Sequence, residues 1–152
     1  MLLYSLDPEC ALAAALSTQL DQPIARHEER RFEDGECKLR PLSDPRGEDV
    51  YVLHGLHGGP VDSPHDKLAR LLMFIATLRE HGASRVTALV PYLAYARKDQ
   101  RTKPFDPVGL RYVLDGNSAV TGAGWGAKGT GSANLGVELD PGRIVLGLHR
   151  VV

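Results

Sequence analysis

Three short apolar runs, Leu2–Ser5, Asp49–Leu53 and residues 85–90, are separated by segments that carry helix-start chemistry. That alternation restricts the fold more than any other property of the chain. Asp7-Pro8 offers a cap followed by a proline at the first helical position. A helix to about Gln19 would follow, with Leu12, Leu16 and Leu20 at i, i+4 and i+8 along one face. Asp62-Ser63-Pro64 repeats the start signal. The helix predicted over 64–81 buries Leu68, Leu71, Leu72, Ile75 and Leu78, and Gly82 ends it. Strands alternating with helices imply an α/β fold, a mainly parallel sheet with helices on both faces.

One stretch breaks this rhythm. Residues 27–32 and 37–42 read as extended, and Asp34-Gly35 lies between them, with Gly35 free to take positive φ. A β-hairpin with an acidic tip is the reading. A loop of two prolines, an aspartate and a glycine, residues 41–47, leads on to the Asp49–Leu53 strand. After the third strand comes Pro91-Tyr92-Leu93-Ala94-Tyr95-Ala96-Arg97-Lys98-Asp99-Gln100-Arg101. Ligands in α/β proteins gather in loops at the carboxyl ends of strands. Arg97, Lys98 and Arg101 suit phosphate oxygens, because guanidinium forks onto them and ammonium acts as a point charge. Tyr92 or Tyr95 would provide a floor for a base.

Phe32-Glu33-Asp34-Gly35-Glu36, then Asp49–Leu53, then residues 90–101 resemble ribose-phosphate pyrophosphokinase in order and spacing. The likeness covers roughly residues 1–113, the amino-terminal half of such an enzyme. Tyr95-Ala96-Arg97-Lys98-Asp99 is a variant of the family's Tyr-Ala-Arg-Gln-Asp signature, with Lys98 at the glutamine position. The resemblance implies a phosphoribosyltransferase-like fold and an ATP site built from Phe32, Asp34, Gly35, Glu36, Arg97, Lys98 and Asp99. It also implies that the hairpin reaches across from a neighbouring subunit, hence a homo-oligomer or a hetero-oligomer with homologues. The implied reaction transfers the β,γ-diphosphoryl group of ATP to the anomeric hydroxyl of ribose 5-phosphate, with Mg²⁺. An alternative from the same resemblance is a non-catalytic regulatory or scaffolding subunit.

The likeness fades near residue 114, which suggests a domain over 1–114 and a divergent glycine-rich tail over 115–152. Ten of the sixteen glycines lie from Gly109 onward. The family's Asp-x-His metal segment and its acidic, glycine-rich ribose-5-phosphate loop have no match in the tail, whose single histidine is His149. A shifted reading frame, a truncation or a fusion junction would account for the change, and no catalytic or metal residue is assigned. Gly124-Trp125-Gly126-Ala127-Lys128-Gly129 fits a dinucleotide-turn pattern but lacks the flanking strand and helix such a turn needs. Asp106-Pro107 reads as a last helix start, running to about Leu114.

Composition narrows the remaining options. A net charge of −1 and a pI near 6.6 give no electrostatic case for nucleic acid or membrane. Cys10 and Cys37 show no metal spacing, which favours a reducing, cytoplasmic setting. His54, His57 and His65 lack the partners of a familiar metal site, and His54-Gly55-Leu56-His57-Gly58-Gly59 lacks the serine elbow an oxyanion loop would serve. Asp62 and Asp66 read as charges at a helix amino terminus.

Overall fold

The computed structural model describes residues 1–109 other than 8 and 99. Its centre is a three-stranded parallel sheet, β1 (Leu2–Ser5), β4 (Asp49–Leu53) and β5 (Arg85–Leu89), in the order β1-β4-β5. Leu2 lies opposite Val50, and Val50 opposite Val86. Burial is nearly continuous along these strands, as parallel strands covered on both faces require. An antiparallel hairpin, β2 (His27–Arg31) and β3 (Cys37–Pro41), forms a separate small sheet.

The helix α2 (Pro64–Glu80) follows its sequence signals closely. Ser63 is the cap, and with Asp66 it closes a capping box in which each side chain satisfies the other's backbone N–H. Gly82, at φ 87°, takes the left-handed turn that ends the helix. Leu71, Phe74, Ile75 and Leu78 are buried against Tyr4, Val50, Val52, Val86 and Ala88, with Leu39 of the hairpin joining the same core. Tyr4 meets Phe74 edge-on at 5.1 Å, the geometry aromatic quadrupoles favour.

The first helix departs from expectation. It runs Ala11–Leu20 (α1), not from Asp7, and its cap residue Cys10 makes no side-chain capping bond. Asp7 cannot cap because its carboxylate is committed elsewhere: Oδ2 accepts from the backbone N–H of Gly55 at 2.8 Å. The leucine stripe is also corrected. Ala13 is the buried residue of α1, whereas Leu12 and Leu20 are about half exposed, so they flank the contact instead of filling it. The sheet begins and the hairpin turns where the sequence indicated. The helix expected from Asp106 and the tail over 115–152 fall almost wholly outside the described residues.

Candidate functional site

The carboxyl ends of the three parallel strands open onto one side of the domain, and three connections meet there. Leu56 donates its N–H to the carbonyl of Tyr92 at 2.9 Å, joining the loop after β4 to the loop after β5. Leu93 and Ala94 are buried and pin that second loop to the core. Beyond them the chain turns outward. Tyr95 adopts φ 65°, a left-handed conformation uncommon for a bulky residue. Its hydroxyl bonds the His65 imidazole on the first turn of α2, and its carbonyl accepts from the N–H of Lys98 at 3.1 Å. This bracing presents Arg97 and Lys98 on the surface, in the loop that follows β5.

Lys98 is not a bare cation. Its Nζ lies 3.4 Å from Asp106 Oδ2, which also accepts from the Thr102 hydroxyl at 2.7 Å and the Lys103 N–H at 3.1 Å. The Thr102 bond is the main reason that the Asp106 carboxyl sits below its ordinary range, with Lys98 adding to it. Asp99 lies outside the described residues.

At the hairpin tip Phe32, Asp34, Gly35 and Glu36 are all exposed. Gly35 takes φ 93°, and the Asp34 carboxylate accepts from the Glu36 N–H at 3.0 Å, so the turn builds its own shape. Arg30 lies 5.1 Å over the Phe32 ring. Among the described residues no hydrogen bond or ion pair joins this tip to the Arg97–Lys98 loop.

Two charge clusters escaped the reading of the sequence. His54, at the end of β4, is fully buried, and its Nδ1 lies 3.1 Å from Asp7 Oδ1, off the line of a hydrogen bond. Burial alone would raise the Asp7 carboxyl. The His54 ring, the Gly55 N–H and the nearby Lys67 ammonium outweigh that and hold it at about 2. The second cluster joins the hairpin to α2. Asp62 accepts from both Arg31 and Arg70, and Arg70 also reaches Glu29. Asp62 is thus an ion-pair centre, beyond the helix-terminal charge expected of it. Asp7 lies two positions past a predicted strand, the one local hint that it could serve the strand ends. Among the described residues no three His, Cys, Asp or Glu side chains gather as a metal cage.

The family model for the N-terminal domain of ribose phosphate pyrophosphokinase matches residues 1–120. The chain belongs to the ribose-phosphate pyrophosphokinase family. It is 37% identical to the ribose-phosphate pyrophosphokinase of Saccharolobus solfataricus over 101 residues, 66% of this chain and 33% of that protein. With the enzyme of Methanopyrus kandleri the identity is 38% over 109 residues, 71% of this chain and 35% of the other. The crystal structure of phosphoribosylpyrophosphate synthetase from Mycobacterium smegmatis superposes with a TM-score of 0.70 at 28% identity, covering 78% of this chain and 39% of that one. The chain therefore spans about a third of the length of the curated pyrophosphokinases it matches. No helix among the described residues is long and apolar enough to cross a membrane.

Proposed function

We propose that this chain provides the ATP-binding half of a ribose-phosphate pyrophosphokinase site. One observation carries the reading: an exposed Arg97–Lys98 pair, braced by Tyr95, in the loop that follows the carboxyl end of a parallel strand. Arg97 forks onto phosphate oxygens of ATP. Lys98 adds a point charge, shared with Asp106. The hairpin of a neighbouring copy brings Phe32 to the adenine face, and Asp34 and Glu36 to its polar edge. Asp99 completes the set. Mg²⁺ enters as part of the substrate, its coordination supplied largely by phosphate oxygens and water.

In the full reaction the anomeric hydroxyl oxygen of ribose 5-phosphate attacks the β-phosphorus of ATP. The bond to the α-phosphate oxygen breaks, AMP leaves, and the hydroxyl proton passes to a base. This chain's own part is to hold and orient the triphosphate and to offset its charge. Residues 114–152 carry neither the Asp-x-His segment nor the acidic glycine-rich loop, and we expect residues 1–152 by themselves to hold nucleotide without turning it over. A cytoplasmic setting accords with substrates of this kind.

Titration calorimetry with Mg·ATP tests the proposal. We expect binding that weakens about tenfold, or about 1.4 kcal/mol, in Arg97→Ala, and no AMP release when ribose 5-phosphate is added. Equal affinity of the wild type and Arg97→Ala for Mg·ATP would overturn the assignment.

A further inference from the structure

β2 and β3 pair only with each other, and the chain is tied to the main sheet just before β2, where the Ala25 N–H donates to the Leu3 carbonyl at 2.7 Å; beyond that root other contacts decide where the tip points. Leu39 anchors one strand in the core. The other strand, β2, starts with the His27 ring 5.5 Å from Phe74, and beyond that it is held by charge. Glu29 and Arg31, two apart on β2, share a face and meet Asp62 and Arg70 in an alternating ring. Arg31 forks onto Asp62 at 2.7 and 2.9 Å, and its Nε lies 3.4 Å from Glu29 Oε1. Arg70 donates to Asp62 at 3.2 Å, to Glu29 Oε2 at 2.5 Å and to the carbonyl of Leu6 at 3.3 Å. The Arg70 side chain is only 8% exposed, Asp62 15% and Glu29 19%.

Such a ring is a poor device for stability. Taking Arg70, Asp62 and Glu29 largely out of water costs nearly what their attraction returns, and apolar replacements of similar volume often do as well. What apolar packing lacks is direction. A guanidinium fork donates to its carboxylates along fixed lines, so the ring favours one orientation of β2 relative to α2 and the end of β1. Phe32 follows Arg31 directly, so the ring sits at the root of the exposed tip.

We propose that Arg70 is a positioning residue: through Glu29, Asp62 and Arg31 it aims the hairpin so that Phe32, Asp34 and Glu36 reach a neighbouring copy's nucleotide. The role in nucleotide binding rests on the reading above. The aiming itself does not.

The test uses the full chain with Cys10 and Cys37 changed to serine and spin labels on Glu33→Cys at the tip and Met73→Cys on the exposed side of α2. Pulsed electron resonance reads the distance distribution between the labels, and calorimetry reads Mg·ATP affinity. We expect one narrow distance in the parent and a broad distribution in Arg70→Met, with Arg70→Lys narrowing it in part. Mg·ATP binding is expected to fall about tenfold in Arg70→Met and to recover in part with lysine, since a pre-aimed arm spares the ordering cost of binding. If Arg70→Met does not fold, Arg31→Gln opens the half-exposed corner of the same ring and is expected to broaden the distance likewise. An unchanged narrow distance in a folded ring variant overturns the aiming role, whatever the affinity does. A broadened distance in a chain whose parent never binds Mg·ATP supports the aiming role and removes the nucleotide reading alone.

Discussion

Asp7 allows the sharpest quantitative test of the fold. Its carboxyl is held at about 2 against an ordinary 3.8, by the Gly55 N–H, the His54 ring and the Lys67 ammonium acting against the cost of burial. Each pH unit of displacement corresponds to about 1.4 kcal/mol, so the ionised Asp7 contributes about 2 kcal/mol to folding. The folded value lies below the unfolded one. The contribution is therefore fully present above pH 3.8 and is lost as the pH falls toward 2.

The perturbation is Asp7→Asn, which keeps an oxygen able to accept from Gly55 but carries no charge. Urea unfolding followed by circular dichroism at several pH values between 7 and 2 gives the stability of both proteins. Asp49, Asp62, Asp66 and Asp106 also have lowered carboxyls, so both proteins weaken in acid. Their effect cancels in the difference between the two curves, because none of them is altered. We expect the wild type to exceed Asp7→Asn by about 2 kcal/mol at pH 7, with the gap closing between about pH 4 and pH 2. A gap that stays constant across that range would refute the argument, since only a proton on Asp7 can close it.

Two further substitutions probe the frame that carries the site. Phe74→Ala empties the centre of the α2–sheet contact, where Phe74 is fully buried against Tyr4 and within 5.5 Å of the His27 ring; urea unfolding should show a loss of about 3–5 kcal/mol. Gly82→Ala places a Cβ at φ 87° and 3.4 Å from Arg46 Cγ, so the thermal midpoint should fall by an amount equivalent to about 1 kcal/mol.

Where chemistry is local, the sequence disclosed it. β1 and β4 occupy the residues expected of them, and α2 follows from Ser63, Pro64, Asp66 and an apolar stripe. Phe74, between Leu71 and Leu78 on that stripe, is a buried apolar residue outside the leucine and isoleucine spacing. α1 misled for a physical reason. Six of its ten residues are alanine or leucine in an unbroken run, so nearly every face is apolar and no single stripe identifies the contact. The hairpin tip and the Arg97 loop were legible because a few adjacent residues shape each of them. The ring around Arg70 was not, because Arg31 and Asp62 are 31 positions apart and Glu29 and Arg70 are 41 apart. Only the path of the chain brings those charges together.

The placement of charge on the two motifs bears on how a site would assemble. The hairpin tip exposes Glu33, Asp34 and Glu36, and the loop past β5 exposes Arg97, Lys98, Arg101 and Lys103. Lys98 stands where a neutral glutamine is the commoner family residue, yet its ammonium is already shared with Asp106, so the loop gains less free positive charge than a simple count suggests. Among the described residues no ion pair satisfies the acidic tip from the loop of the same chain. Opposite charges left apart within one chain are available to meet between two, and association steered that way is fast and sensitive to salt. In the proposed site, a triphosphate would meet the basic loop first. The acidic tip then has only the base to approach, because phosphate would repel it. Phe32, which follows the ring on β2 and carries no charge, is the tip residue suited to that contact.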